Sequence, residues 1–323
     1  MELYLPRRLE SDWVLTRWEP SSGRTAEASP YRAVESLRNF LFPPRLRVAE
    51  FPSAGRAELQ TPAPVVVAGL KACDLGCLPV LDFIFLKGDQ PEPYYAHRRR
   101  NTILISYDCT GFKETCFCAM VGGAPFPRAG FDLNLTPLGD HCLVEIGSDK
   151  GRELVEAAGR IFAPASADDL RARAGLREKV TGDLRGQLAA QGQLEAAPSA
   201  AEVRSRNAGK FWREEARPCV ECGACNLVCP TCHCFILEES DSKGGSARWR
   251  NWDSCQYPGF TRVAGGANPR ARRGQRLSNR FSKKFEFFPD QAGVIACTGC
   301  GRCFEACPGK IDIRLLLKKI KTG

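Results

Sequence analysis

Cys219, Cys222, Cys225 and Cys229, followed by Pro230, are answered by Cys297, Cys300, Cys303 and Cys307, followed by Pro308. The shared spacing, Cys-x2-Cys-x2-Cys-x3-Cys-Pro, is that of chains that wrap four-iron, four-sulfur clusters. Three thiolates on one tight loop cap three irons of a cubane, while the fourth cysteine starts the next element and reaches the neighbouring cluster. The rule assigns Cys219, Cys222, Cys225 and Cys307 to one [4Fe-4S] cluster and Cys297, Cys300, Cys303 and Cys229 to a second. This crossing makes the two clusters neighbours. Gly223 and Gly301 stand inside the loops, where a small residue lets backbone N–H groups approach cluster sulfurs. Structural zinc is the weaker reading, because it needs Cys-x2-Cys pairs but not the third and fourth cysteines at these spacings.

Nine further cysteines lie outside these runs. Cys73 closely follows an apolar strand at 65–68, and Cys109 directly follows another at 102–107. If these strands are parallel neighbours, both thiols emerge at the rim where open α/β sheets place their sites. The loop after Cys109 turns at Gly111 and adds Cys116 and Cys118. A third [4Fe-4S] cluster on Cys73, Cys109, Cys116 and Cys118 is the preferred reading, with buried reduced thiols as the alternative. Cys77, one helical turn beyond Cys73, is a substitute ligand, and Cys142, beside a strand, is expected in the core. Cys232 and Cys234 lie just past Pro230, spaced so that an extended chain points both to one face. Cys255 is their natural third partner, with His233 or Asp253 a weaker fourth. The preferred role for these three is structural, as reduced thiols packed beside the neighbouring cluster; a fourth, labile cluster is the alternative. His97 and His141 have no partner pattern and are given no chemistry.

The elements that must position these residues divide into three stretches. Residues 1–165 read as an α/β domain that carries the third site. A helix is expected from Pro30 through Tyr31 to Leu41, strands at 65–68, 102–107 and 141–146, an apolar stretch from Asp74 to Leu86, and a helix from Arg152 to Phe162. Residues 166–215 form a helical connector, with helices at 167–192 and 200–215, either packed on one domain or solvated. Residues 216–323 form a mainly helical, ferredoxin-like domain for two clusters. Its two runs are separated by 67 residues, far more than two such loops need, so a long insert is expected at 235–296. The fold class is α+β. From Arg248 to Lys284 the insert carries ten basic residues against the single Asp253, interleaved with Trp249, Trp252, Tyr257, Phe260 and Phe281. That composition suits single-stranded nucleic acid, a shell around negative clusters, or an acidic partner.

Composition narrows the classes. A chain of 323 residues with 43% hydrophobic and 26% charged content is that of a globular protein rather than a disordered one. Seventeen cysteines in so long a chain, eight of them in two metal-ligand runs, point to metal thiolates rather than a disulfide scaffold. The formal charge is +9, but each four-thiolate cluster carries a net 2−, so three clusters would leave about +3. The basic balance is thus a counterweight to clusters, and no nucleic-acid partner is expected. Residues 1–13 contain no apolar signal core, and no run of about 18 apolar residues occurs, so no membrane span and a cytoplasmic location are expected. The dinucleotide fingerprint, the phosphate-binding loop and a nucleophile with a paired base are not found in the sequence, so no catalytic residue is assigned.

Taken together, several stretches carry a family resemblance: Ala72 to Leu75, Asp82 to Leu86, Tyr94-Tyr95, Arg98 to Asn101, Thr115 to Cys118 and Phe131 to Thr136. The second half adds Cys229 to Phe235, Trp252 to Cys255, Gly259 to Arg262 and Asn268 to Arg270. On these the chain resembles the iron-sulfur β subunit of cytoplasmic NAD(P)-linked [NiFe] hydrogenases, the sulfhydrogenases, and the corresponding iron-sulfur subunit of anaerobic sulfite reductase, within the 4Fe-4S dicluster-domain family. The resemblance implies an electron-transfer subunit of an oxidoreductase complex. It would relay single electrons between two partners, one a flavin-bearing, NAD(P)-binding reductase subunit, the other a catalytic hydrogenase or sulfite/sulfur reductase subunit, without turnover of its own. The alternative is a catalytic flavin/iron-sulfur subunit, with a flavin bound in the N-terminal domain at the strand-end rim.

Overall fold

The computed structural model describes residues 1–23, 27–51, 63–206, 209–242 and 245–322. The chain opens with a hairpin, β1 (Glu2–Leu9) and β2 (Asp12–Arg17), followed by a short α1 (Arg38–Leu41) and β3 (Arg45–Phe51). The expected helix from Pro30 to Leu41 forms only over its last four residues. The carbonyls that an earlier start would use are already taken. The Pro30 carbonyl accepts from the Thr110 and Gly111 amides, and those of Ala33, Val34 and Glu35 accept from the Arg302 guanidinium. Backbone groups satisfied by distant partners have no need of a helix.

The chain continues through β4 (Val65–Leu70), α2 (Ala72–Leu75), α3 (Leu78–Phe85), α4 (Pro93–Asn101), β5 (Thr102–Tyr107), β6 (Leu133–Leu138), β7 (His141–Ile146) and α5 (Asp149–Ala157). Among the described residues these strands form a six-stranded sheet in the order β2-β1-β4-β5-β6-β7. Its inner strands β1, β4, β5 and β6 run parallel, with Val66 opposite Ile103 and Val67 opposite Leu104. The Val65-Val66-Val67 run suits an inner parallel strand, since both its faces are covered. The apolar stretch from Asp74 to Leu86 is split in two. α2 ends at Leu75, and α3 starts after Cys77 and packs Leu78 and Leu81 into a core with Leu41, Val67 and Tyr95.

The connector is packed against both halves. α6 (Ala167–Ala190) starts at a Ser166/Asp169 capping box, and its Arg177 grips the buried Asp108 of the sheet at 2.7 Å. Farther along, Val180, Leu184 and Leu188, spaced four apart, are buried; Leu184 and Leu188 join the core of the second half with Trp212, Phe281 and Leu317. α7 (Ala200–Ser205) and α8 (Lys210–Glu215) follow, and residues 207–208 of the expected 200–215 helix lie outside the described residues.

After α9 (Ala224–Leu227), strands β8 (Phe235–Ser242) and β9 (Gly245–Trp252) form a hairpin. β3 pairs antiparallel with β9, so a strand from the first 51 residues completes the sheet of the insert. Trp252 locks this joint: its Nε1 donates to the Phe42 carbonyl at 2.9 Å and its ring lies under the Arg38 guanidinium. The insert then returns through α10 (Arg273–Ser282), a π-helical turn at Lys283–Phe287 and α11 (Phe288–Ala292), and the chain closes with α12 (Arg302–Glu305) and α13 (Ile313–Thr322). Among the described residues, no helix is long and apolar enough to cross a membrane.

Candidate metal centre

The two cysteine runs fold alike. In each, the residue before the second cysteine, Glu221 or Gly299, and the one after it, Gly223 or Gly301, sit in the left-handed region. Each loop then enters a one-turn helix, α9 or α12, and each fourth cysteine follows its end, with Cys229 N donating to the Asn226 carbonyl and Cys307 N to that of Phe304. Neither second glycine can be replaced by a larger residue without a clash. A Cβ at Gly223 would lie 2.6 Å from the Tyr257 ring, and one at Gly301 would lie 2.3 Å from the Thr115 carbonyl oxygen.

The thiols of the two runs gather in one region. Cys219, Cys222, Cys225 and Cys307 line one cavity, which Cys303 also borders, walled by Leu277 and Phe281. Cys303 lies within electrostatic range of Cys297, Cys300 and Cys229. In the first half, β4 and β5 are parallel neighbours, and Cys73 and Cys109 leave their ends side by side. Cys118 in turn lies within range of Cys109 and Cys116. This third group abuts the second. Phe117 N donates to the Gly299 carbonyl at 2.7 Å, and Cys300 lies within range of both Cys73 and Cys116.

Burial pushes these thiols up: Cys109 and Cys297 each to about 12, and Cys118 and Cys303 up as well, with Lys71, Lys284 and Arg280 pulling against it at Cys109, Cys297 and Cys303 respectively. Left to themselves they would be neutral thiols at neutral pH. A bound metal deprotonates a coordinating thiol outright.

Buried cations test whether metal thiolates fit. Arg38, Arg280 and Lys284 are each at most 5% exposed, and among the described residues none of them meets a carboxylate. Lys284 Nζ lies 3.3 Å from Cys229 Sγ, 2.7 Å from Thr231 Oγ1 and 2.9 Å from the Ala296 carbonyl. Arg280 reaches the Cys225 carbonyl at 3.1 Å and Cys232 Sγ at 3.5 Å. Arg38 donates to the Cys232 carbonyl at 2.9 Å. Among the described residues, Arg302 Nη1 and Thr298 Oγ1, also buried, have no hydrogen-bond partner. An uncompensated buried ion costs several kcal/mol, and two thiolates, Cys229 held down by Cys232, Lys284 and Arg280 and Cys255 held down by Cys234, do not offset all three cations. Sets of four thiolates around an iron-sulfur core, net 2− each, do. The residues fit [4Fe-4S] clusters.

The composition of the insert does not reveal which of its basic residues reach the thiols. The signal was present: Arg276, Arg280 and Lys284 are spaced four apart, which puts them on one helical face. That face turns inward. Two expectations are corrected or refined. Cys142 is exposed rather than in the core, because β7 is an edge strand whose Leu143 points inward and whose Cys142 points away. Cys77 is fully buried among Leu41, Leu70 and Leu81, toward Asp82 and Tyr95, so it packs in the aliphatic core rather than facing the thiol groups.

Cys232, Cys234 and Cys255 line a separate cavity of about 380 Å3, together with His233, Arg280 and Lys284. The thiols pair off, Cys232 with Cys229 and Cys234 with Cys255. Cys255 Sγ also accepts from Asn226 Nδ2 at 3.0 Å and Gln256 Nε2 at 3.4 Å. The hydrogen bond from Cys234 pulls Cys255 down to about 5, against its burial and with help from those two amides. Burial pushes His233 to about 4, so it is neutral.

The family model described as a 4Fe-4S dicluster domain matches residues 218–311. Sulfhydrogenase 2 subunit beta of Pyrococcus furiosus is 32% identical over 293 residues, which cover 90% of this chain and 84% of that protein. No solved structure matches.

Proposed function

Because the chain belongs to the sulfhydrogenase β-subunit family, we propose that it is a cytoplasmic electron-transfer subunit of an oxidoreductase complex that holds three [4Fe-4S] clusters in a row. Cys73, Cys109, Cys116 and Cys118 hold the first, Cys297, Cys300, Cys303 and Cys229 the middle one, and Cys219, Cys222, Cys225 and Cys307 the last. When bound, such clusters store and release single electrons. The chain's own residues supply the rest. The crossing cysteines Cys229 and Cys307 tie the two runs together, and the contact of Phe117 with Gly299 holds the third thiol group against them. The buried guanidinium and ammonium groups supply fixed positive charge, and the aliphatic walls exclude water. Two partners complete the relay, one a flavin-bearing, NAD(P)-binding reductase subunit, the other a catalytic hydrogenase or sulfite/sulfur reductase subunit. The observation that carries this reading is the burial of Arg38, Arg280 and Lys284 beside cysteines, with no carboxylate in reach among the described residues.

Iron and acid-labile sulfide analysis of the anaerobically purified chain is the direct test. About twelve of each per chain are expected from three cubanes; about eight would remove the first-half cluster. A yellow flavin spectrum after cluster removal would instead favour the catalytic flavoprotein.

The same analysis decides the role of the pocket thiols. Because Cys234 pairs with Cys255, Cys255 also accepts from two amides and Cys232 donates to Cys229, the triple variant Cys232→Ser, Cys234→Ser, Cys255→Ser should keep its full iron content. A loss of about four irons per chain would mean that they hold a fourth cluster.

A further inference from the structure

A cavity of about 950 Å3 opens beside the loop from Cys219 to Cys222. Five guanidinium groups reach its wall, Arg213 and Arg217 from α8 and the turn after it, and Arg270, Arg272 and Arg273 from the start of α10 and the approach to it. Its single acid among the described residues, Glu221, is already paired with the buried Arg276. Arg213, Arg217, Arg272 and Arg273 are exposed, and among the described residues none of the five forms an ion pair. Arg273 donates instead to the Cys219 carbonyl at 2.8 Å, which ties the basic wall to the first cysteine of the run. Cys222 is exposed on the same loop, and Val220 beside it is 62% exposed. Like charges on a concave wall focus a positive field and concentrate negative ligands there.

We propose that this cleft docks the acidic face of a diffusible one-electron carrier protein, seated so that its redox group faces Cys222. The inference rests on the relay reading above and adds where one exchange partner binds. The composition of the wall selects the kind of partner. Permanent subunit interfaces have apolar cores depleted of charge, whereas transient redox encounters are small and polar and are steered by charge. A single-stranded nucleic acid needs aromatic faces to stack on. Trp212, the aromatic residue of this wall, is buried, with its Nε1 bonded to the Arg206 carbonyl.

The test uses the full-length chain with its clusters and, as probe, a purified acidic ferredoxin. Affinity for the ferredoxin and the rate at which it reduces the clusters should both fall at least about tenfold from low to high salt. In the double variant Arg213→Glu, Arg272→Glu, both should fall by at least about tenfold at low salt, with a flatter salt dependence. Reduction by methyl viologen, a small dication, and the iron content should stay as in the wild type. If the charge reversals impair folding, the neutral variants Arg213→Gln and Arg272→Gln carry the same comparison in smaller steps. Ferredoxin affinity and rate indifferent to salt and to the variants, with viologen still reducing the clusters, would overturn the docking site and leave the relay reading standing. Clusters that neither donor can reduce would overturn both. Tight, salt-dependent binding of a single-stranded oligonucleotide, with ferredoxin affinity unmoved by the variants, would also overturn the proposal and assign the cleft to nucleic acid.

Discussion

Replacing Lys284 with Met should lower the midpoint potential of the cluster on the Cys297 run by roughly 100 mV, while the other clusters move far less. Lys284 is 5% exposed, with its Nζ 3.3 Å from Cys229 Sγ, and methionine keeps most of its volume without its charge. Adding an electron makes a cluster more negative, so a nearby fixed positive charge favours the reduced state and its removal lowers the potential. At an effective dielectric constant of about 20, a unit charge a few ångströms away contributes about 2 to 4 kcal/mol. A tenfold change in a one-electron equilibrium corresponds to about 59 mV. A redox titration followed by low-temperature spin resonance of the Lys284→Met variant measures the shift, with Lys284→Arg as the charge-conserving control. A potential unmoved by Lys284→Met would mean that the ammonium group does not act on this cluster.

The pH dependence follows from the same contacts. Burial works to lower the Lys284 pKa, but the attraction of the Cys229 thiolate and the neighbouring Cys232 sulfur outweighs it, and the net shift is upward. A lysine whose folded pKa is raised contributes its full stabilisation below its unfolded value, about 10.4, and loses it only as pH rises through the folded value. The difference between wild type and Lys284→Met should therefore be flat across neutral pH and shrink only in strong alkali.

Gly299→Ala should cost about 3 kcal/mol or more and break the joint between the two halves of the protein. Gly299 has φ +65°, where a residue with a Cβ is strained. The new Cβ would also lie 2.4 Å from Cys118 Cα, 2.5 Å from Cys118 N and 2.6 Å from the Phe117 carbonyl carbon. All three are backbone atoms, so no side chain can swing away. The Phe117 to Gly299 hydrogen bond would be lost, and with it the contact that holds Cys116 and Cys118 beside Cys300. The expected result is a thermal midpoint lowered by several degrees, at about 2 to 4 °C per kcal/mol for a chain of a few hundred residues, and at least four fewer irons per chain. Gly259→Ala, where a Cβ meets nothing within 4 Å, is the matched control and should change neither. A Gly299→Ala variant with wild-type iron content and midpoint would show that the two loops do not pack this closely.

Features that depend on near neighbours along the chain could be read from the residues alone. The spacing of the two cysteine runs set two loops of the same left-handed pattern, and the β-branched stretches fixed the strands at Val65–Leu70, Thr102–Tyr107 and His141–Ile146. Even the meeting of Cys73 with Cys109 was legible, because adjacent parallel strands end at one edge. The contacts between segments far apart in the chain arise only once it folds. Arg302 stops the helix expected from Pro30 by claiming carbonyls of residues 33–35. β3 completes the sheet of the insert, and α6 binds both halves through Arg177 at one end and Leu184 and Leu188 toward the other. The inward turn of Arg280 and Lys284 belongs here as well. Arginine and lysine are almost never fully buried unless they are paired, so composition places a basic helix at the surface. Here the partner is a set of thiols some fifty residues away in the chain, and it becomes a partner only once the fold has brought those thiols together.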